Sequence, residues 1–303
     1  MIAAFPRCWF NTFMQDLPPF TLVGAAEQSV PVILTSPHSG RHYDQAFLAA
    51  SRLDALAIRR SEDSFVEELF AAAPALGAPL LAANFPRAWC DANREPWELD
   101  PAMFADRLPD YVNVNSPRVT AGLGTIARIV GTGEAIYAEK LRFAEAKARI
   151  GGFWQPYHDA LRHLIGETRL RFGACLVIDC HSMPSIAGRA NARPDIVLGD
   201  GHGTSCAPAV VAAMQAVFGR LGLNVRRNDP YAGGYITRHY GRPREGVQVV
   251  QVEVARGLYM NERTYGKTEA FAAMQGLISE FLADVLATST ALLAGTAPAL
   301  AAE

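Results

Sequence analysis

The sequence predicts an α/β fold of three layers, α/β/α, with a mixed and largely parallel central sheet. Two observations carry that prediction. Short apolar runs bounded by turn residues alternate with longer amphipathic stretches, the order expected of strands joined through helices. The chain has 303 residues, half of them apolar, enough to bury the core of one large domain.

In chain order, strands are expected at residues 32–36, 79–84, 174–179, 195–198, 223–227 and 247–254, the short apolar runs. Helices are expected at residues 53–73, 134–149, 154–172, 207–221 and 264–286, the amphipathic ones. Residues 94–132 are rich in Pro, Asp, Asn and Gly and weakly periodic, which reads as a long excursion over the sheet, a kind of loop that usually carries function. The domain layout that follows is an N-terminal arm over 1–25, a single catalytic α/β domain over 26–287, and a frayed Ala-rich tail over 288–303 containing Gly295 and Pro298.

Net charge is -2, with Lys and Arg scattered rather than blocked, so there is no electrostatic footprint for nucleic acid or an anionic membrane surface. A small-molecule partner is expected instead. Five cysteines, Cys8, Cys90, Cys175, Cys180 and Cys206, are odd in number and form no CxxC pair, which implies a reducing compartment. The first residues lack a basic stretch followed by an uninterrupted apolar one, so a cytoplasmic protein is expected. No unbroken run of about eighteen apolar residues occurs, and no membrane-spanning helix is expected.

The chemistry-bearing residues gather at strand ends, where open α/β sheets bind ligands. His38, in SPHSG, follows directly on the first strand, and His181, in DCHS, follows on the strand at 174–179. Two histidines at the ends of different strands can converge on one metal ion. Asp179, two residues before His181, lies on the same side of an extended chain and suits a hydrogen bond to an imidazole. A third ligand should be a carboxylate or histidine; Glu62 and Asp63, in RSEDSF, both qualify, and spacing does not choose between them. In DANR, Asn93 and Arg94 offer directional donors and a bidentate fork suited to a substrate carboxylate. Glu253, in VQVEVARG, interrupts an apolar strand, and a carboxylate there must be paired, liganded or catalytic.

These pieces, together with WQPYH at 154–158, GDGHGTSC at 199–206, GGYITRHYG at 233–241 and QVEVARGLYMNE at 251–262, resemble the N-formylglutamate amidohydrolases of bacterial histidine breakdown. They occur in family order from residue 32 to residue 262. That family in turn resembles zinc carboxypeptidases and aspartoacylase-type deacylases, and so implies a phosphorylase/hydrolase-like sheet and one zinc ion per chain, or another divalent ion. By resemblance, Asn93 and Arg94 bind a carboxylate, Glu253 is the base, and Arg238 and His239 meet a second carboxylate or a developing oxyanion. Asp179 and Asp91 stand in the shell around the ligands and the substrate motif. The carboxypeptidase pattern has an acidic ligand three residues after the first histidine, where this chain has Arg41. The N-formylglutamate family has an aspartate at the position of Asp63, which makes the implied ligand set His38, Asp63 and His181. Tyr157, His158 and Cys206 also match, the first two in a helical context and the thiol as a packing residue.

Overall fold

A computed structural model describes residues 18–24, 28–185 and 193–294. The chain divides into two compact units, one of residues up to 21, 40–62 and 83–157, the other of 22–39, 63–82 and 158 onward. In chain order the strands are β1 (Phe20–Val23), β2 (Val32–Ser36), β3 (Leu80–Ala83), β4 (Cys175–Met183), β5 (Ile196–Gly199), β6 (Val225–Arg227) and β7 (Val247–Ala255), followed by a small hairpin of β8 (Met260–Asn261) and β9 (Gly266–Lys267). The helices are α1 (Gln45–Ala50), α2 (Val66–Leu69), α3 (Pro117–Thr120), α4 (Phe143–Arg149), α5 (Gln155–Phe172), α6 (Pro208–Arg220), α7 (Tyr235–Tyr240) and α8 (Phe271–Ala294).

Seven strands form one sheet in the order β1-β3-β2-β4-β7-β5-β6. β2, β3, β4 and β7 pair in parallel, β5 runs antiparallel to β7, and β6 is parallel to β5, so the sheet is mixed and largely parallel as the sequence predicts. Alternate residues of a strand point to opposite faces. On one face Leu34, Leu176, Ile178, Val250 and Val252 pack with α2, α6 and α8 in the main apolar core. The other face carries a polar ladder: Thr35 pairs with Asp179, Asp179 with Gln251, and His181 with Glu253.

Several elements depart from the sequence reading, each for a tertiary reason. The expected helix at 53–73 is a 3-10 turn over Ala57–Ser61 and the single turn α2, because the chain becomes extended at Glu62 (ψ 138) and turns left-handed at Phe65 (φ 66). The helix at 134–149 shrinks to α4, since Ala135, Tyr137 and Leu141 form bridges with Ile129, Ser51 and Phe104. The helix expected from 264 begins at Phe271 because Gly266–Lys267 pairs with Met260–Asn261. It also runs to Ala294, past 288 where the tail was expected to fray; the remainder of that tail lies outside the described residues. β1 is a strand within the expected N-terminal arm, most of which also lies outside the described residues. The short α1, α3 and α7 have no counterpart in the sequence reading.

One correction concerns hydropathy. α8 is long and apolar enough by composition to cross a membrane, contrary to the expectation that no segment is. Within the fold its Phe271, Met274, Ile278, Phe281 and Val285 belong to the apolar core, and Phe281 stacks on Phe218 of α6 at 3.8 Å between ring centroids.

Candidate metal centre

Three separate segments bring three donors together. β2 ends at Ser36 and His38 follows; its carbonyl oxygen accepts a hydrogen bond from the Asp63 backbone N–H at 3.1 Å. That bond accounts for the break in the expected helix, because a continuous helix would spend the Asp63 N–H on its own turn. His181 comes from β4, which extends well beyond the expected end at 179 because its pairing with β7 continues to Met183 and Ala255. His181 is therefore held inside a strand rather than in the loop after one.

The ligand atoms of His38, Asp63 and His181 all lie within 4.8 Å of one another, and all three residues are buried. Asp63 Oδ2 faces both rings, 2.9 Å from His181 Nδ1 and 3.4 Å from His38 Nδ1. Two imidazoles and one carboxylate are a donor set of the kind that catalytic zinc takes. Tetrahedral ligands about 2.0–2.2 Å from a zinc ion lie roughly 3.4 Å apart, which the His38 contact matches. The shorter His181 contact is the length of a charge-assisted hydrogen bond. The cluster therefore fits a divalent ion.

Glu62 is committed elsewhere. It accepts two bonds from Arg59, at 3.0 and 2.9 Å, and one from the Tyr43 hydroxyl at 3.1 Å. Of the two carboxylates that spacing left open, Asp63 is the one that joins the histidines.

The surroundings set the charge states. Asp63 is held well below the ordinary carboxylate range: burial alone would raise it, but the hydrogen bonds from His181 and His38, with the charges of His38 and Arg256, outweigh burial. His181 is held well above its ordinary value; burial alone would lower it, and Asp179, Asp63 and Glu253 together win. Asp179 Oδ2 lies 3.1 Å from His181 Nε2, the geometry of a carboxylate that fixes the tautomer and orientation of a metal-binding imidazole. Glu253 is the register partner of His181 and accepts a 2.7 Å bond at Oε1 from Gln251 Nε2.

Gln251, which sequence reading passed over, also accepts a 2.8 Å bond at Oε1 from the backbone N–H of Gly234, at the start of α7. The far end of α7 is tied as well: Tyr240 and His158 share a 2.8 Å hydrogen bond between hydroxyl and Nδ1, with their rings stacked. Arg238 and His239 are exposed on this helix, Arg238 donating to the Gly233 carbonyl at 3.3 Å and His239 stacking on Tyr235. Arg256 is the second residue that sequence reading missed. It lies just after Glu253 in VQVEVARG, but a lone arginine beyond a strand gives no signal of burial; in the fold it is buried and donates to Asp63 Oδ1 at 2.8 Å.

DANR belongs to the other compact unit. Asp91 shapes the DANR turn, Oδ1 accepting from the Asn93 N–H at 2.8 Å and Oδ2 pairing with Arg87 at 2.8 Å. Asn93 and Arg94 are both buried. Arg94 donates from Nε to the Leu123 carbonyl at 2.9 Å and from Nη1 to the Asn93 carbonyl at 2.8 Å, which leaves Nη2 outside these bonds. Burial pulls its guanidinium down to about 10, against the opposing charge of Asp91, so it remains a cation at neutral pH. Cys206 is a buried thiol whose pKa burial raises, in keeping with a packing role.

Residues 30–260 match the model of the N-formylglutamate amidohydrolase family. An N-formylglutamate deformylase of Pseudomonas aeruginosa is 31% identical over 268 residues, covering 85% of this chain and 93% of the relative. One of Pseudomonas putida is 29% identical over 253 residues, covering 82% and 86%. The crystal structure of an N-formylglutamate amidohydrolase from Ralstonia eutropha JMP134 superposes with a TM-score of 0.84 at 34% identity, covering 89% of this chain and 98% of that one. A gene product of Agrobacterium tumefaciens, 22% identical with a TM-score of 0.61 over 92% of this chain and 98% of its own, shares the fold. Matched across most of its length, the chain belongs to the N-formylglutamate amidohydrolase family.

Proposed function

We propose that this chain hydrolyses N-formyl-L-glutamate to formate and L-glutamate, using one zinc ion, or another divalent ion, held by His38, Asp63 and His181. One observation carries the reading. Glu253 stands beside His181 in the β4–β7 register, a carboxylate outside the three-donor cluster yet next to it. A divalent ion bound there supplies Lewis acidity, lowering the pKa of water and polarising a carbonyl.

Glu253 is the general base. It accepts a proton from water as the water oxygen adds to the formyl carbon, and it delivers that proton to the glutamate nitrogen as the C–N bond breaks. Gln251 steadies Glu253 through the 2.7 Å bond, and Asp179 steadies His181. Asn93 and Arg94 are assigned to a carboxylate of the substrate, which fixes the orientation of the amide. Arg238 and His239 are assigned to the second carboxylate or to the negative charge that develops on the carbonyl oxygen. The same reading puts the reaction in bacterial histidine breakdown, in the cytoplasm, on a free small molecule.

The test is metal content and formate release from N-formyl-L-glutamate in the wild type, His181→Ala and Glu253→Gln. The expected result is one zinc per chain and formate release in the wild type, both lost in His181→Ala. Glu253→Gln should keep its zinc and lose about 10²–10⁴-fold in turnover. A wild type without metal, or an active Glu253→Gln, overturns the mechanism; zinc without formate release removes the substrate and points to a different N-acyl amino acid.

A further inference from the structure

Arg256 is a buried cation beside the cluster that the reaction above does not use. It opens the 3-10 turn Arg256–Leu258 directly after β7. Nη2 donates to Asp63 Oδ1 at 2.8 Å, and Nε donates to Ser182 Oγ at 3.2 Å. Ser182 lies in β4, where it pairs in register with Val254 of β7, so the guanidinium is anchored to a paired strand. Among the described residues, Asp63 is the carboxylate with which Arg256 forms an ion pair.

The two oxygens of Asp63 thus have different duties. Oδ2 faces the Nδ1 atoms of both histidines, while Oδ1 is occupied by Arg256. A carboxylate can bind a cation through one oxygen or through both, and a hydrolytic zinc needs a coordination position left open for water. We propose that Arg256 is a positioning residue that restricts Asp63 to ligation through Oδ2, and so keeps that position from being filled by Oδ1. The proposal rests on the metal reading above, but not on the identity of the substrate. It assigns to Arg256 a role in setting the coordination number of the ion rather than a contact with substrate.

Cobalt(II) tests it, because visible absorption per bound cobalt falls as the coordination number rises. Chelator-treated wild type, Arg256→Gln, Arg256→Lys and Ser182→Ala are titrated with Co²⁺, and spectra, bound metal and thermal stability are recorded. Arg256→Gln is expected to bind cobalt with a loss of visible intensity per bound ion. Arg256→Lys, which keeps a cation near Oδ1, is expected to restore much of it. A folded Arg256→Gln protein with the wild-type spectrum overturns the proposal. Should that variant fail to fold, Ser182→Ala decides: removing one anchor of the guanidinium should lower the intensity in part, and an unchanged spectrum overturns the proposal. A wild type that takes up no cobalt overturns the metal reading and this proposal together. A wild type that binds cobalt without releasing formate removes only the substrate assignment, and the spectra still decide the role of Arg256.

Discussion

Replacing Asp179 with asparagine removes a negative charge from a fully buried position while keeping the size of the side chain. The carboxylate sits 3.1 Å from His181 Nε2 and is the main group that raises the pKa of His181 against the opposing effect of burial. The metal-free imidazole therefore holds its proton to higher pH than an ordinary histidine, and an ion binding at the Nδ1 that faces Asp63 competes with that proton. Two effects of opposite sign follow. Losing the oriented carboxylate weakens metal binding about 10–100-fold, or roughly 1.4–2.8 kcal/mol. Losing its charge also lowers the proton affinity of His181, which eases metal binding wherever the wild-type imidazole is protonated. A raised pKa means that protons compete below it and cease to compete above it, so the second effect fades as pH rises. The deficit of Asp179→Asn in zinc affinity should therefore be smaller at low pH, where the wild-type imidazole holds its proton, and widen as pH rises and that proton is lost. Chelator competition across a range of pH measures it, with circular dichroism confirming that both proteins are folded. A deficit that stays constant, or narrows as pH rises, would refute the argument that Asp179 acts through the charge and orientation of His181.

Two further outcomes are expected. Arg94→Met should raise KM for N-formyl-L-glutamate by about 10- to 150-fold, the equivalent of roughly 1.5–3 kcal/mol for a hydrogen bond to a charged group, with kcat changed far less; steady-state kinetics separates the two, and an unchanged KM removes Arg94 from carboxylate binding. Gly40→Ala should destabilise the protein by about 1–3 kcal/mol in urea unfolding, because a Cβ there would lie 2.1 Å from the Phe85 carbonyl oxygen, a backbone atom that cannot rotate away.

Where the sequence pattern was strong and local, the fold followed it. β2 occupies the residues expected of it, and β4 and β7 begin within a residue of expectation because their mainly apolar starts need burial in the sheet. His38 and His181 stand out because they follow apolar strands, where open α/β sheets bind ligands, Asp179 because it lies two residues before His181, and Glu253 because a carboxylate that interrupts an apolar strand needs a partner. What could not be read were features made by contacts distant in sequence. The segment at 53–73 has a helical pattern, yet one hydrogen bond from the Asp63 N–H to the His38 carbonyl overrides it. Spacing alone does not choose Asp63 over Glu62, whereas the family resemblance does; in the fold Arg59 and Tyr43 claim the glutamate. Gln251 and Arg256 lay in plain view within the motif around Glu253, but nothing in their spacing shows that one bonds Glu253 and the other Asp63.

α7 is only six residues long, and a helix of that length is marginal in isolation. Here both ends are fastened, one to Gln251 and the other to His158. On the function proposed above, Arg238 and His239 would ride on a helix fastened before any anion arrives, and little backbone entropy would be lost in recruiting them. A hinged flap would make the rate of opening part of turnover; a fastened helix does not. On that reading, exchanging side chains along α7 would retune which acid is accepted, while the strand that carries Glu253 stays as it is.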